Sequence, residues 1–284
     1  MINIKDYTTE QKAALLKKYK KFVLTGTHNS GKSTVLNRYA GVTVHYLTNV
    51  SEWTLSGNMK EIQECILTAA LKNIDLKKDI NNCNYEINWI NDYSLIELKV
   101  TDNRIKNPLF YCVGEMIREL SKAQGFCFVP DNIVEYLESE NSLFGHYKSM
   151  YEKNHYKLID KYFLYDRNIA DPLYYIKNTI ENDLRFNNDA TKEQKKYLSG
   201  IYDYGLKELT RMKYEGLFDE TLFLLLDPID KIANDGFRII DPVVQTNVYN
   251  IAAKMLNTTR VDYISLSADE CVDLLDLVDN VKWN

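Results

Sequence analysis

The stretch from Phe22 to Tyr39, FVLTGTHNSGKSTVLNRY, constrains this chain more than any other. An apolar run of Phe22, Val23 and Leu24 enters Gly26-Thr27-His28-Asn29-Ser30-Gly31-Lys32-Ser33-Thr34, and an amphipathic segment follows. The pattern G-x-x-x-x-G-K-[S/T] has physical meaning only between a strand and a helix, and that is the setting read here. Gly26 and Gly31 permit backbone angles that other residues resist, so successive N–H groups can turn inward around a phosphate. The helix expected from about Lys32 adds its positive dipole end. Lys32 is placed to reach the outer phosphates, and the Ser33 hydroxyl to sit on Mg²⁺. The expected ligands of residues 26–34 are therefore ATP, or a similar nucleoside triphosphate, and Mg²⁺.

The remaining chain fits one large α/β domain or one domain with an insertion, given 284 residues, 45% hydrophobic and 26% charged. The net charge of −5 supplies no global basic field, so nucleic acid is the less favoured partner. Five scattered cysteines without a C-x-x-C pair read as reduced thiols, and the four histidines lack metal-ligand spacing. No signal-peptide core and no membrane-length apolar run is read, so no membrane partner is expected. A cytoplasmic protein is the expectation, with an AT-rich, virus-encoded origin compatible with the abundant Asn, Lys, Ile and Tyr. The oligomeric state is left open, a homodimer included.

Along the chain, Thr8-x-x-Gln11 reads as a capping box opening a short helix before a strand at about 21–25. A helix is expected at about 32–40 and a strand at Val42–Leu47. A helix through Met59, Ile62, Ile66 and Ala70 follows, with strand-like pieces at 85–90 and 94–100. Residues 48–107 are read as an insertion or small α+β subdomain, with 1–47 and 108–284 forming the main domain. From Leu109, a strand is expected to pass into a helix carrying Glu115 and Arg118, with helical starts at Asp131 and Ser142. A strand at Lys161–Tyr165 ends at Asp166-Arg167, and Asp171-Pro172 reads as an N-cap with Pro in the first helical position. Thr191-x-x-Gln194 opens a long helix stopped by Gly216. Thr221–Leu226 is the most apolar strand, Asp241-Pro242 starts another helix, and a strand at Val261–Leu266 leads to the capping box Ser267-x-x-Glu270.

Apolar strands separated by helices predict an α/β fold with a parallel sheet covered by helices on both faces. Ligands bind such sheets at the carboxyl ends of the strands. That rule collects the loop of residues 26–34 with Glu115, Arg118, Asp166 and Arg167, and adds Arg238 from the polar loop after Asp227. Such acidic and basic groups are what phosphoryl transfer requires.

The set GTHNSGKST, GEMIR, FLYDRNIAD and LLLDP with a downstream Gly-Phe-Arg resembles the P-loop nucleoside and nucleotide kinases. The nearest branches are the nicotinamide riboside kinase-like and deoxynucleoside monophosphate kinase-like ones. The resemblance covers about 20–41 and 109–280. It implies the three-layer P-loop fold and transfer of the γ-phosphoryl group of Mg-ATP to a nucleoside or (deoxy)nucleoside monophosphate. It further implies that Asp166 holds Mg²⁺ with Ser33 or orients the acceptor, and that Arg167 contacts the acceptor or the transferred phosphate. Glu115 would lie near the acceptor hydroxyl, Arg118 would bind acceptor phosphate, and Arg238 would belong to a lid. The base is left open between Glu115 and Asp166. Two other readings are kept. One is a polynucleotide 5′-hydroxyl kinase, since Glu115-x-x-Arg118 resembles the acidic-x-x-Arg arrangement of that group and 192–196 is Lys-rich. The other is a non-catalytic nucleotide-binding module with 48–107 as its partner surface.

Overall fold

The computed structural model describes residues 1–27, 30–39, 42–46, 84–90, 95–101, 110–115, 162–167, 170–182, 192–229 and 241–278. The chain divides into two compact units, one of Met1–Lys32, Val129–Lys157 and Arg167–Asn284, the other of Ser33–Phe128 and Leu158–Asp166. In the first unit, α1 (Thr9–Leu16) precedes β1 (Lys21–Gly26), and α3 (Ala170–Asn182) and α4 (Lys192–Tyr214) precede β7 (Thr221–Leu226). The unit closes with α5 (Pro242–Thr258), β8 (Tyr263–Leu266) and α6 (Ala268–Asp276). The helix α2 (Lys32–Arg38) leads into the second unit. That unit contains β2 (Val42–Tyr46), β3 (Asn84–Ile90), β4 (Leu95–Thr101), β5 (Phe110–Glu115) and β6 (Tyr162–Asp166).

In the first unit β1 pairs in parallel with β7, and β7 with β8. The register sets Gly26 opposite Leu226 and Leu226 opposite Leu266, so the three strands end together. Phe22 through Gly26 and every residue of β7 are buried. A strand buried at consecutive positions has both faces shielded from water, which is why these segments read as continuous apolar runs instead of alternating ones. The helices bury apolar stripes at helical spacing: Val244, Val248, Ala252 and Met255 on α5, and Leu173, Tyr174 and Ile176 on α3. The helix α3 packs on α4 and α5, α5 reaches β1, and α6 reaches β7.

Local capping chemistry sets several boundaries where the sequence expects them. Thr8 and Gln11 exchange hydrogen bonds at 3.3 and 2.8 Å, and Ser267 and Glu270 at 3.2 and 2.8 Å. Asp241 accepts from the Val243 N–H at 2.8 Å, with Pro242 next to the cap. Gly216 takes a φ of 76° just after α4.

In the second unit β2, β5 and β6 are parallel neighbours, while β4 runs antiparallel to β2 and β3 antiparallel to β4. The strand-like pieces expected within 48–107 thus form an antiparallel pair, and β4 continues the sheet that holds β2. Parallel strands together with helices make this an α/β fold. Two local expectations are corrected. Glu115 is the last residue of β5, in register with Tyr46, and not part of a helix. Pairing to β2 keeps the chain extended through that residue. Asp171 lies inside the first turn of α3, which begins at Ala170, and its carboxylate turns to β1 instead of capping the helix.

The helix expected through 59–70, the starts at Asp131 and Ser142 and the Thr191 cap lie outside the described residues. Among the described residues, no helix is long and apolar enough to cross a membrane.

Candidate functional site

The site begins where β1 runs out. Gly26 has a φ of 133°, and a Cβ there would stand 2.9 Å from the Leu226 carbonyl oxygen on the neighbouring strand. Gly31 has a φ of 87°, and its Cβ would stand 2.8 Å from the Ala268 Cβ at the start of α6. Both positions demand glycine for conformation and for space. The two glycines thus lie against the end of β7 and the start of α6, which is the physical content of the glycine spacing.

Lys32, the first residue of α2, folds back over this loop. It is 5% exposed, and its ammonium donates to the Gly26 carbonyl at 3.0 Å, the Ser30 hydroxyl at 3.2 Å and the Thr27 carbonyl. Ser30 Oγ in turn donates to the Thr27 carbonyl at 3.0 Å. A buried ammonium is costly unless its N–H groups are satisfied, and here loop oxygens satisfy them. A cation ringed by a compact, glycine-bounded loop is an arrangement suited to a polyanion. Thr27 and Ser30 are buried within the loop, whereas Ser33 and Thr34 are exposed on the first turn of α2. His28 and Asn29 lie outside the described residues.

Asp166 closes β6 at the position that strand-end reasoning anticipates. It is 8% exposed, and among the described residues its Oδ1 has no hydrogen-bond partner. A buried carboxylate oxygen is normally paired, so an orphan points to a missing cation or donor. Arg167 follows with a φ of 71°, a region disfavoured for a residue with a side chain. Its N–H donates to the Leu24 carbonyl at 2.8 Å, and the residue is 7% exposed. Strained backbone of this kind collects at ligand sites. The backbone of Glu115 ends β5. Arg118 and Arg238 lie outside the described residues.

Two features were not drawn from the sequence. The first is Asp171, fully buried, whose carboxylate accepts from the Thr25 hydroxyl at 2.9 Å and the Gly26 N–H at 3.4 Å. The sequence reads Asp171 only as a helix N-cap, and nothing local signals its contact with β1. The second surrounds Asp227, whose Oδ1 accepts from Tyr249 at 2.7 Å and Ser265 at 3.0 Å. Those two hydroxyls also contact each other. Burial, reinforced by the Asp227 charge against an opposing effect of Ser265, pushes the Tyr249 hydroxyl up to about 12. The Asp227 carboxylate thus ties β7 to α5 and β8.

The two residues that the sequence nominates for a metal, Ser33 and Asp166, both offer oxygen. Among the described residues no group of three or more His, Cys, Asp or Glu side chains could hold a metal. Oxygen donors of that kind are the chemistry that Mg²⁺ accepts beside water and phosphate.

No protein-family model, no curated protein and no solved structure matches this chain.

Proposed function

We propose that this chain is an ATP-dependent phosphotransferase of the P-loop nucleoside and nucleotide kinase kind, with its three-layer fold. It would move the γ-phosphoryl group of Mg-ATP to a nucleoside or a (deoxy)nucleoside monophosphate. The observation that carries the reading is the buried Lys32 ammonium held on the oxygens of a loop whose two bounding glycines admit no side chain. In loops that bind a polyphosphate, backbone N–H groups and such a cation face the phosphate oxygens.

In this reading Lys32 leaves the loop oxygens for phosphate oxygens and stabilises the charge that develops on the transferred group. Ser33 and Asp166 would hold Mg²⁺, which when bound neutralises phosphate charge and orients the oxygens. The orphaned Asp166 oxygen supports that role. Arg167 would clamp the transferred phosphoryl group or the acceptor, with Arg118 on acceptor phosphate and Arg238 closing over the triphosphate. Glu115 or Asp166 would take the proton of the acceptor hydroxyl.

One observation keeps the polynucleotide 5′-hydroxyl kinase reading in view. Tyr197 and Tyr204 are 59% and 53% exposed on α4, which also exposes Lys192 and Lys196. Exposed aromatic and basic groups together are what a single strand uses for stacking and backbone contact. The experiment is ADP release from Mg-ATP against nucleosides, ribo- and deoxynucleoside monophosphates, nicotinamide riboside and a 5′-hydroxyl oligonucleotide. Strong stimulation by one small acceptor is expected. Stimulation by the oligonucleotide alone would replace the small-molecule reading, and no acceptor dependence would reject both.

A further inference from the structure

Asp171 has no part in the reaction just described, yet its carboxylate is fully buried against the end of β1. An ionised carboxylate out of water is unfavourable unless hydrogen bonds or charge offset it. Two of the bonds it receives come from the residues that open the phosphate loop, the Thr25 hydroxyl at 2.9 Å and the Gly26 N–H at 3.4 Å. Tyr174, one turn further along α3, sets its hydroxyl 3.4 Å from the same Thr25 oxygen. Gly26 is the residue least able to hold its own orientation, since it lacks a side chain and sits at a φ of 133°. Its N–H is bonded to Asp171, and its carbonyl receives the Lys32 ammonium at 3.0 Å. Asp171 and Lys32 are therefore joined through the backbone of one glycine.

We propose that Asp171 is a positioning residue for the phosphate loop: acting through Gly26, it fixes the carbonyl that holds the Lys32 ammonium and so sets the loop to receive a polyphosphate. The inference rests on the nucleotide reading of residues 26–34. It follows that α3, and not only the loop's own sequence, determines the affinity for phosphate. The physical basis is that one glycine has many accessible orientations, and a buried anion on a rigid helix selects among them.

The test uses Asp171→Ala and Asp171→Asn, each in the parent and in a Lys32→Met background. Mg-ATP affinity is measured by calorimetry, and amide exchange over residues 22–32 in the ligand-free chain. Asp171→Ala should weaken Mg-ATP binding at least about tenfold, the loss expected for a hydrogen bond to a charged group. In the Lys32→Met background the same change should cost almost nothing further, because the effect runs through Lys32. Asp171→Asn keeps an acceptor for the Gly26 N–H and should retain most of the binding. Exchange over 22–32 should quicken in the alanine variant and stay near the parent's in the asparagine variant. Unchanged binding and exchange in Asp171→Ala would overturn the proposal. Equal losses in both backgrounds would overturn it as well, since they would mark a general effect on the fold. A parent chain that binds no Mg-ATP would remove the nucleotide reading and this role together, which distinguishes that failure from the failure of Asp171 alone.

Discussion

Gly26→Ala tests the geometry of the proposed phosphate loop most directly. The new Cβ would stand 2.9 Å from the Leu226 carbonyl oxygen, 3.4 Å from the Leu226 nitrogen and 3.4 Å from Ser30 Oγ. The nearest of these is backbone of a fully buried strand, so no rotamer change relieves it. Two terms add. Holding alanine at a φ of 133° strains the backbone by about 1–3 kcal/mol. Forcing a methyl into packed surroundings costs about 1–3 kcal/mol more. The fold should therefore lose about 2–6 kcal/mol, read as a lower urea midpoint at unchanged slope. Relief by shifting the loop would also carry off the Gly26 carbonyl that Lys32 grips at 3.0 Å, so Mg-ATP affinity should fall with stability. The control is Gly200→Ala on α4, where an added Cβ meets nothing within 4 Å. There alanine should stabilise the helix by about 0.5–1 kcal/mol, through lower backbone entropy in the unfolded chain. A Gly26→Ala chain within about 0.5 kcal/mol of the parent and binding Mg-ATP normally would refute the reasoning, because that is the range of an unconstrained surface change.

Other perturbations follow from the same geometry. Lys32→Ala should lower turnover by about 100-fold or more, as removal of a charge-stabilising donor does; phosphorylation near the parental rate would take the loop out of the mechanism. Asp166→Asn removes the carboxylate that would hold the metal in this reading. The same change should remove the Mg²⁺ dependence of nucleotide binding, and intact dependence would acquit Asp166 as a ligand. Tyr249→Phe deletes a 2.7 Å bond to the Asp227 carboxylate and should cost about 1.5–3 kcal/mol at neutral pH. The Tyr249 hydroxyl, normally near 10, stands at about 12 in the folded chain. Its stabilisation is therefore complete below a pH of about 10 and is lost as the pH rises toward about 12. Alkaline unfolding of Tyr249→Phe should be correspondingly less steep over that window, and an unchanged alkaline profile would show that Tyr249 does not contribute to it.

Much of the fold was legible because its determinants are local. The glycine-bounded loop, the capping boxes at Thr8 and Ser267 and the Asp241-Pro242 start depend on residues a few positions apart. The runs 22–26 and 221–226 are buried throughout, so they declare themselves by their apolar character. The candidate site was legible where it coincides with such features, at Gly26, Gly31, Lys32 and the Asp166 strand end. Glu115 misled because GEMIREL suits a helix by composition, while pairing with β2 keeps its first acidic residue extended. The β3–β4 pair could be guessed as a hairpin, but its attachment to β2 depends on which edge is open in the assembled sheet.

The sequence by itself thus determined the glycine-bounded turn after β1, the α/β class and the helix starts at Thr8, Asp241 and Ser267, since backbone angle preferences and near-neighbour hydrogen bonds are written residue by residue. Only the tertiary structure decided that Leu226 and Ala268 leave no room for a Cβ in the loop. It alone joined Asp171 to Thr25, 146 positions away, and tied Asp227 to Tyr249 and Ser265. Those contacts arise where strands from distant parts of the chain end at one level, and periodicity and spacing in a sequence carry no record of which distant ends will meet.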